Sequence, residues 1–116
     1  MSLIIGLLAG LTLSAQPSAE DLYSRDFQGE FAPRGACART TERWIFADRE
    51  ITEGPKGCLI SGVSLSEGRV VVATRNCTEK GNTIPDRRYV LDLMSEDVVK
   101  ARVDEKTTLL QRCPAS

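Results

Sequence analysis

Four cysteines and no histidine limit the chemistry that this 116-residue chain can perform. Histidine is the usual general base and the partner of serine and cysteine nucleophiles, so catalytic pairs of that kind are ruled out. The cysteines are far apart in the sequence, which does not match the close spacing of zinc ligands. An even number of widely spaced cysteines favours disulfides, and we expect no metal and no cofactor.

Paired carboxylates are the remaining route to acid–base catalysis. The candidates are Glu50/Glu53, Glu96/Asp97 and Asp104/Glu105. The last two pairs lie in predicted tight turns, where solvated acids are ordinary, and the first pair is predicted to point to opposite faces of a strand. We therefore expect that the protein is not an enzyme.

A polar stretch over residues 78–88 is the best candidate for binding. It follows a cysteine that would anchor one end, and loops held on a rigid scaffold often carry binding function. The candidate contacts in it are Lys80, Asn82, Arg87 and Arg88. Trp44, the sole tryptophan, is a further candidate, because tryptophan anchors some interfaces. The alternatives are a solvated connector and a tryptophan of the core.

The first fifteen residues have the pattern of a secretory signal peptide. The apolar run over residues 3–13 has the length of a signal core, about 7–15 residues, and is shorter than the about 20 residues of a membrane span. We predict cleavage after Ala15, with Ala19 as the other possible site, which gives a periplasmic or secreted protein. A retained membrane anchor is the alternative, because no Lys or Arg precedes the run.

The charge is nearly balanced. All fifteen basic and sixteen acidic side chains follow residue 15, so the net charge is −1 with or without the signal. This balance argues against a nucleic-acid-binding protein, which would show a basic excess. Eleven of the fifteen basic residues are Arg, and with the short signal this composition indicates a bacterial origin.

Short β-strands must position these residues. From Arg43 onward apolar and polar residues alternate with the period of a strand, and no segment after the signal sustains helical periodicity. We predict about six strands, over residues 43–47, 50–66, 69–76, 88–94, 98–103 and 107–112, with an edge or bulge at Pro55. They predict an all-β antiparallel meander that forms a small barrel or sandwich over residues 37–116, after a flexible N-terminal segment over residues 16–36.

The same topology predicts the disulfides. Cys58 and Cys77 lie on neighbouring strands and are symmetric about the predicted turn Glu67-Gly68. A simple hairpin would place their Cα atoms about 5.5 Å apart, within reach of a disulfide. Cys37 and Cys113 lie at the same end of the first and last strands. We predict Cys58–Cys77 and Cys37–Cys113, and the alternative is Cys37–Cys58 with Cys77–Cys113.

In size, export and all-β pattern the chain is similar to small disulfide-stapled domains of the bacterial periplasm, which include inhibitors of lysozymes and of proteases. This likeness is one of fold only. It implies a monomeric, non-enzymatic binding or inhibitor-like module whose partner is an envelope protein or a cell-wall component. The alternative is a small-ligand carrier, a miniature barrel with a cavity lined by Val70, Val72, Leu91 and Leu93.

Overall fold

The computed structural model describes residues 16–114, and within them an antiparallel sheet of eight strands closes into a barrel. The strands are β1 (Gly29–Pro33), β2 (Trp44–Phe46), β3 (Glu50–Glu53), β4 (Lys56–Ser66), β5 (Arg69–Glu79), β6 (Asn82–Thr83), β7 (Arg88–Ser95), β8 (Val98–Val103) and β9 (Lys106–Arg112). The ring runs β1–β2–β3–β4–β5–β7–β8–β9 and returns to β1, while β6 pairs only with the end of β5. The predicted all-β barrel is confirmed. Because the sheet closes, the sandwich form does not apply.

The interior of the barrel is filled by side chains from alternate positions of the strands. Trp44 and Phe46 of β2 pack edge-on against Tyr89 of β7, with ring centroids 6.1 and 6.3 Å away. Phe31 of β1 lies 5.6 Å from Phe46. Around these rings pack Ile51, Val70, Val72, Leu91, Val99, Ala101, Val103 and Leu110. Trp44 is therefore a core residue, as the alternative interpretation of this tryptophan held.

The segment over residues 16–36, which the sequence predicts to be flexible, contains a short helix, a π-helical turn and strand β1. Helix α1 (Ala19–Leu22) is capped by the Ser18 side chain, which accepts a hydrogen bond of 3.0 Å from the Asp21 amide. A π-helical turn (Tyr23–Phe27) follows and buries Tyr23 and Phe27 against the core. The physical reason is this pair of aromatic side chains, whose burial outweighs the polar composition of the segment.

Two long-range contacts hold the N-terminal segment against the barrel. The Tyr23 hydroxyl donates a 2.6 Å hydrogen bond to the carbonyl of Ala47, which follows β2. The Arg112 guanidinium of β9 donates to the carbonyls of Asp26 and Gln28, both at 3.1 Å. The helical segment therefore covers the end of the barrel where β2 terminates. Within residues 16–114, no helical segment has the length and hydropathy required to span a bilayer. The predicted signal peptide, residues 1–15, lies outside the described residues.

Strand β1 is the part of the barrel that the sequence pattern did not predict. It pairs with β2 and with β9 and so closes the ring. Its pattern does not alternate, because Phe31 points into the core and Ala32 packs on the outside against Ala36 and Cys113. A strand of five residues that is buried on both faces lacks the period-two signal on which the prediction depended.

Hairpin turns explain the other differences in strand number. Gly54-Pro55 is a tight turn that separates β3 from β4, with Glu53 opposite Lys56, and is neither an edge nor a bulge. The predicted Glu67-Gly68 turn joins β4 to β5. A second turn, at Lys80-Gly81, joins β5 to β6. In both of these turns the two central residues have positive φ, 53° and 80° in the first and 53° and 84° in the second, the form that suits a two-residue hairpin.

Both predicted disulfides are present. Cys37–Cys113 fastens the chain that follows β1 to the end of β9, with Cα atoms 5.5 Å apart. Cys58–Cys77 links β4 to β5, with Cα atoms 4.1 Å apart rather than the predicted 5.5 Å. The difference arises because the β4–β5 register shifts between Gly57 and Leu59, the interval that contains Cys58, and Asn76 on the partner strand adopts a left-handed φ of 53°. The two cysteines therefore face one another across a bulge and not in a regular pair.

Candidate functional site

The five predicted binding residues do not form one site. Lys80 and Asn82 are exposed at the β5–β6 turn, which takes up part of the predicted loop. Arg87 and Trp44 lie at the end of the barrel opposite the helical segment. Arg88, the next residue along, starts β7 and faces outward. The alternation of side chains in a strand thus sends Arg87 and Arg88 to different surfaces.

The end of the barrel opposite the helical segment is a shallow depression that we call the mouth. Two adjoining hollows of about 330 and 200 Å³ make it up. The residues that line both hollows are Trp44, Glu53, Lys56, Lys106 and Thr108. They come from β2, β3, β4 and β9, so the mouth exists only because the barrel closes.

A partly buried ion pair lies at the floor of the mouth. Arg87 Nη2 donates to Glu53 Oε1 at 2.6 Å, and the two side chains are only 14% and 19% exposed. Tyr89 Oη also donates to Glu53 Oε1, at 3.1 Å, and accepts from Arg87 Nε at 3.2 Å. Each of the three side chains therefore hydrogen-bonds to the other two, and we call them the Glu53–Arg87–Tyr89 cluster.

Thr74 supports the cluster through two hydrogen bonds between its hydroxyl and the backbone of Arg87. The Thr74 hydroxyl donates to the Arg87 carbonyl at 2.6 Å and accepts from the Arg87 amide at 2.9 Å. The same hydroxyl lies 3.3 Å from the sulfur of Cys77, so the Cys58–Cys77 disulfide adjoins this support. Thr74 is therefore a buried polar residue whose hydroxyl both donates and accepts a hydrogen bond.

Burial raises the pKa of Tyr89 to about 12, and the Glu53 carboxylate adds to the rise, while Arg87 opposes it. Burial also raises the pKa of Tyr23 at the other end of the barrel, with Asp48 as a second cause. Tyr89 therefore stays protonated at neutral pH and serves as a hydrogen-bond donor to Glu53. The opposite charges of Glu53 and Arg87 thus offset one another at this end of the barrel.

The carboxylate pairs considered from the sequence lie at turns or are separated by the sheet. Glu50 is exposed and Glu53 is in the cluster, whereas Glu96/Asp97 and Asp104/Glu105 are turn residues exposed to solvent. Among residues 16–114, no group of three potential ligands is placed to hold a metal ion.

A second surface lies on the outside of the barrel, across β5, β7 and β8. We call it the arginine groove, a depression of about 470 Å³. It is lined by Ser66, Glu67, Arg69, Val71, Arg88, Val90, Arg102 and Asp104. Its three arginines come from three neighbouring strands.

The floor of the arginine groove is apolar. Val71 and Val90 are directly paired across β5 and β7. Val71 is only 4% exposed, although it belongs to neither apolar cluster of the described residues. We attribute this burial to the aliphatic stems of the surrounding arginines, which can cover apolar surface while their charged ends stay in water.

The arginines of the groove differ in their partners. Arg69 makes ion pairs with Asp92 at 3.4 Å and with Glu67 at 3.6 Å. Within residues 16–114, the guanidinium groups of Arg88 and Arg102 make no ion pair. Of these three arginines, only Arg88 was among the binding residues predicted from the sequence. In the predicted strands these arginines occupy outward-facing positions, and this shared face was the signal that could have placed them on one surface.

Comparisons with protein-family models, with curated proteins and with solved structures find no match to this chain.

Proposed function

We propose that this protein is a non-enzymatic binding module of the bacterial cell envelope, and that the arginine groove receives an anionic group of its partner. The observation that carries the proposal is the pair of exposed arginines, Arg88 and Arg102, without ion pairs among the described residues. Arg88 and Arg102 are diagonal neighbours on β7 and β8, so their like charges lie side by side on one face of the sheet. A ligand accounts for their placement better than fold stability does.

The envelope location is supported by the two disulfides, which persist in oxidising compartments. Cleavage after Ala15 would keep Ser18 and the cap of α1, whereas cleavage after Ala19 would remove the cap. We therefore favour a mature chain that starts at Gln16. Mass spectrometry of the full chain expressed for export tests this point. A mass that begins at Gln16 with both disulfides supports it, and an intact N-terminus with four free thiols contradicts it.

A small-ligand carrier is the second candidate, since a barrel of about eight strands is the size that can hold one small ligand. The predicted cavity residues speak against it. Val70, Val72 and Leu91 belong to the packed core, and Leu93 is 39% exposed. Because aromatic rings also occupy the interior, we favour the outer groove over the interior as the binding surface.

NMR chemical-shift mapping tests the binding proposal. The full chain, expressed for export and purified with both disulfides, is titrated at low ionic strength with a triglutamate peptide and with glycerol 3-phosphate, and maltose is the neutral control. We expect saturable shifts at the amides of Val71 and Val90 with at least one anion, weakened by salt.

Variants assign the shifts to the groove. The double variant R88Q/R102Q should lose them, whereas R49Q should keep them, because Arg49 lies in the β2–β3 turn with its side chain 93% exposed. The proposal would be refuted if neither anion changed the chemical shifts of the groove amides, or if the same shift changes occurred in R88Q/R102Q.

A further inference from the structure

We infer that the anionic group received by the arginine groove is a phosphate monoester, held between Arg88 and Arg102 over the Val71–Val90 floor. This inference rests on the binding function proposed above and names its ligand chemistry. It draws on the relative positions of the two arginines, on the charge around them and on the floor beneath them.

The two arginines can converge on one group. Val90 pairs directly with Arg102, and Arg88 lies two residues before Val90 on the same face of β7. Such diagonal neighbours have Cα atoms about 7–8 Å apart, a span that two arginine side chains can bridge. Each guanidinium offers two parallel N–H donors. A phosphate monoester presents three terminal oxygens and can accept from both forks at once, whereas a carboxylate has only two oxygens.

The charge of the groove favours a single anionic group, because its lining carries three arginines and two carboxylates, a net charge of +1. Arg69 is already paired with Asp92 and Glu67, so two positive charges stay uncommitted, at Arg88 and Arg102. A phosphate monoester carries about −1.5 to −2 at pH 7. Glu67 and Asp104 lie on the rim and would repel further negative groups on the same ligand. The groove should therefore prefer a single phosphate to a polyanion.

The apolar floor strengthens this contact. Val71 is buried and Val90 is half-buried, so the side of the groove under the phosphate is poor in water. Hydrogen bonds between charged groups are stronger in such surroundings than in bulk water. The carbon atoms of the ligand next to the phosphate can rest on Val90.

Calorimetric titration of the full exported chain tests the inference. Glycerol 3-phosphate is the monoester, dimethyl phosphate is the diester and triglutamate is the carboxylate probe. We expect the monoester to bind about tenfold more tightly than either of the others, because it alone places both negative charges on one group that reaches both arginines. R88Q and R102Q should each weaken it by about tenfold, and R49Q should leave it unchanged.

The pH dependence provides a second readout. Affinity for the monoester should increase as pH rises through about 6, where its second proton leaves, and affinity for dimethyl phosphate should stay constant. The chain has no histidine, the side chain that ordinarily titrates in this range, so the change reports on the ligand. A flat profile for the monoester would overturn the inference.

A vesicle experiment separates the two sources of the monoester. Phosphatidylcholine vesicles with phosphatidic acid present the same group on a lipid. Binding to them that needs Arg88 and Arg102 supports a lipid-borne monoester, and binding of glycerol 3-phosphate supports a soluble one. If triglutamate binds the groove as tightly as both monoesters, the phosphate inference is wrong and the binding function stands. If no anion binds there, both are wrong.

Discussion

The Glu53–Arg87–Tyr89 cluster leads to a quantitative prediction about stability. The substitution E53Q keeps the size of the side chain and an acceptor for Tyr89, and removes the negative charge that faces Arg87 at 2.6 Å. Two unit charges about 4 Å apart attract by about 4 kcal/mol at an effective dielectric constant of about 20, and removing one partner of a buried pair costs about 3–5 kcal/mol. The side chains of this pair keep 14% and 19% exposure, so we reduce the expected loss of unfolding free energy to about 2–3 kcal/mol.

The assay is urea unfolding followed by the fluorescence of Trp44, which lies 6.1 Å from Tyr89. For a domain of this size the loss corresponds to a fall in Tm of about 10–20 °C. E42Q is the matched control, because Arg39–Glu42 has a similar length, 2.8 Å, and side chains that are 61% and 45% exposed. It should cost at most about 0.5 kcal/mol.

The double variant E53Q/R87Q completes the cycle. If the two residues act as a pair, it should lose clearly less stability than the sum of the single variants, because neither charge is left without a partner. An E53Q variant no less stable than E42Q, with an unchanged urea m-value, would refute the reasoning that the pair is buried and coupled.

Three further predictions follow from the packing of the barrel. Both tyrosines should stay protonated in the native protein at pH 11, measured as tyrosinate absorbance. The raised pKa of Tyr89 implies that its contribution to the free energy of unfolding is complete below about pH 10 and is lost between about pH 10 and 12, and ionisation near pH 10 before unfolding would contradict this. Loop-closure entropy predicts that the free energy of unfolding falls by about 4.5 kcal/mol when alanine replaces Cys37 and Cys113, which are 76 residues apart. The same replacement of Cys58 and Cys77, which are 19 residues apart, should cost about 3.2 kcal/mol. The opposite order in thermal unfolding would show that local packing outweighs loop entropy. The variant F27A should lose about 3 kcal/mol of unfolding free energy, measured with urea, and the control S24A should lose almost none. A loss under about 1 kcal/mol for F27A would show that the π-helical turn contributes little to the core.

The strands from Trp44 onward could be predicted from the sequence because their signals are local. Alternation marks the inward face of each strand, and Glu-Gly at residues 67–68 marks a two-residue hairpin. The disulfide pairing followed from that hairpin, since partners on either side of a turn are set by counting residues. The bulge at Asn76 was not predicted, because nothing local requires the register to shift there.

The candidate sites were harder to predict than the strands. Trp44 and Arg87 were chosen for exposed binding, and both are built into the end of the barrel. Arg88 was chosen as the last residue of the polar stretch and the first residue of a predicted strand, and the structure places it at the start of β7, beside Arg102 of β8. A residue type indicates which interactions are available, whereas the register of neighbouring strands decides which partner is within reach.

By itself the sequence determined an all-β fold, its main hairpins and the Cys58–Cys77 pairing, because period-two patterning, turn residues and cysteine spacing act over a few residues or within one hairpin. The Cys37–Cys113 pairing then followed as the remaining pair. Only the tertiary structure decided that the sheet closes through β1 and β9, that Tyr23 and Phe27 cover one end, and that Glu53 meets Arg87 and Tyr89 at the other. The physical reason is distance along the chain. Glu53 and Arg87 are 34 residues apart, and their contact depends on the stagger of every strand between them.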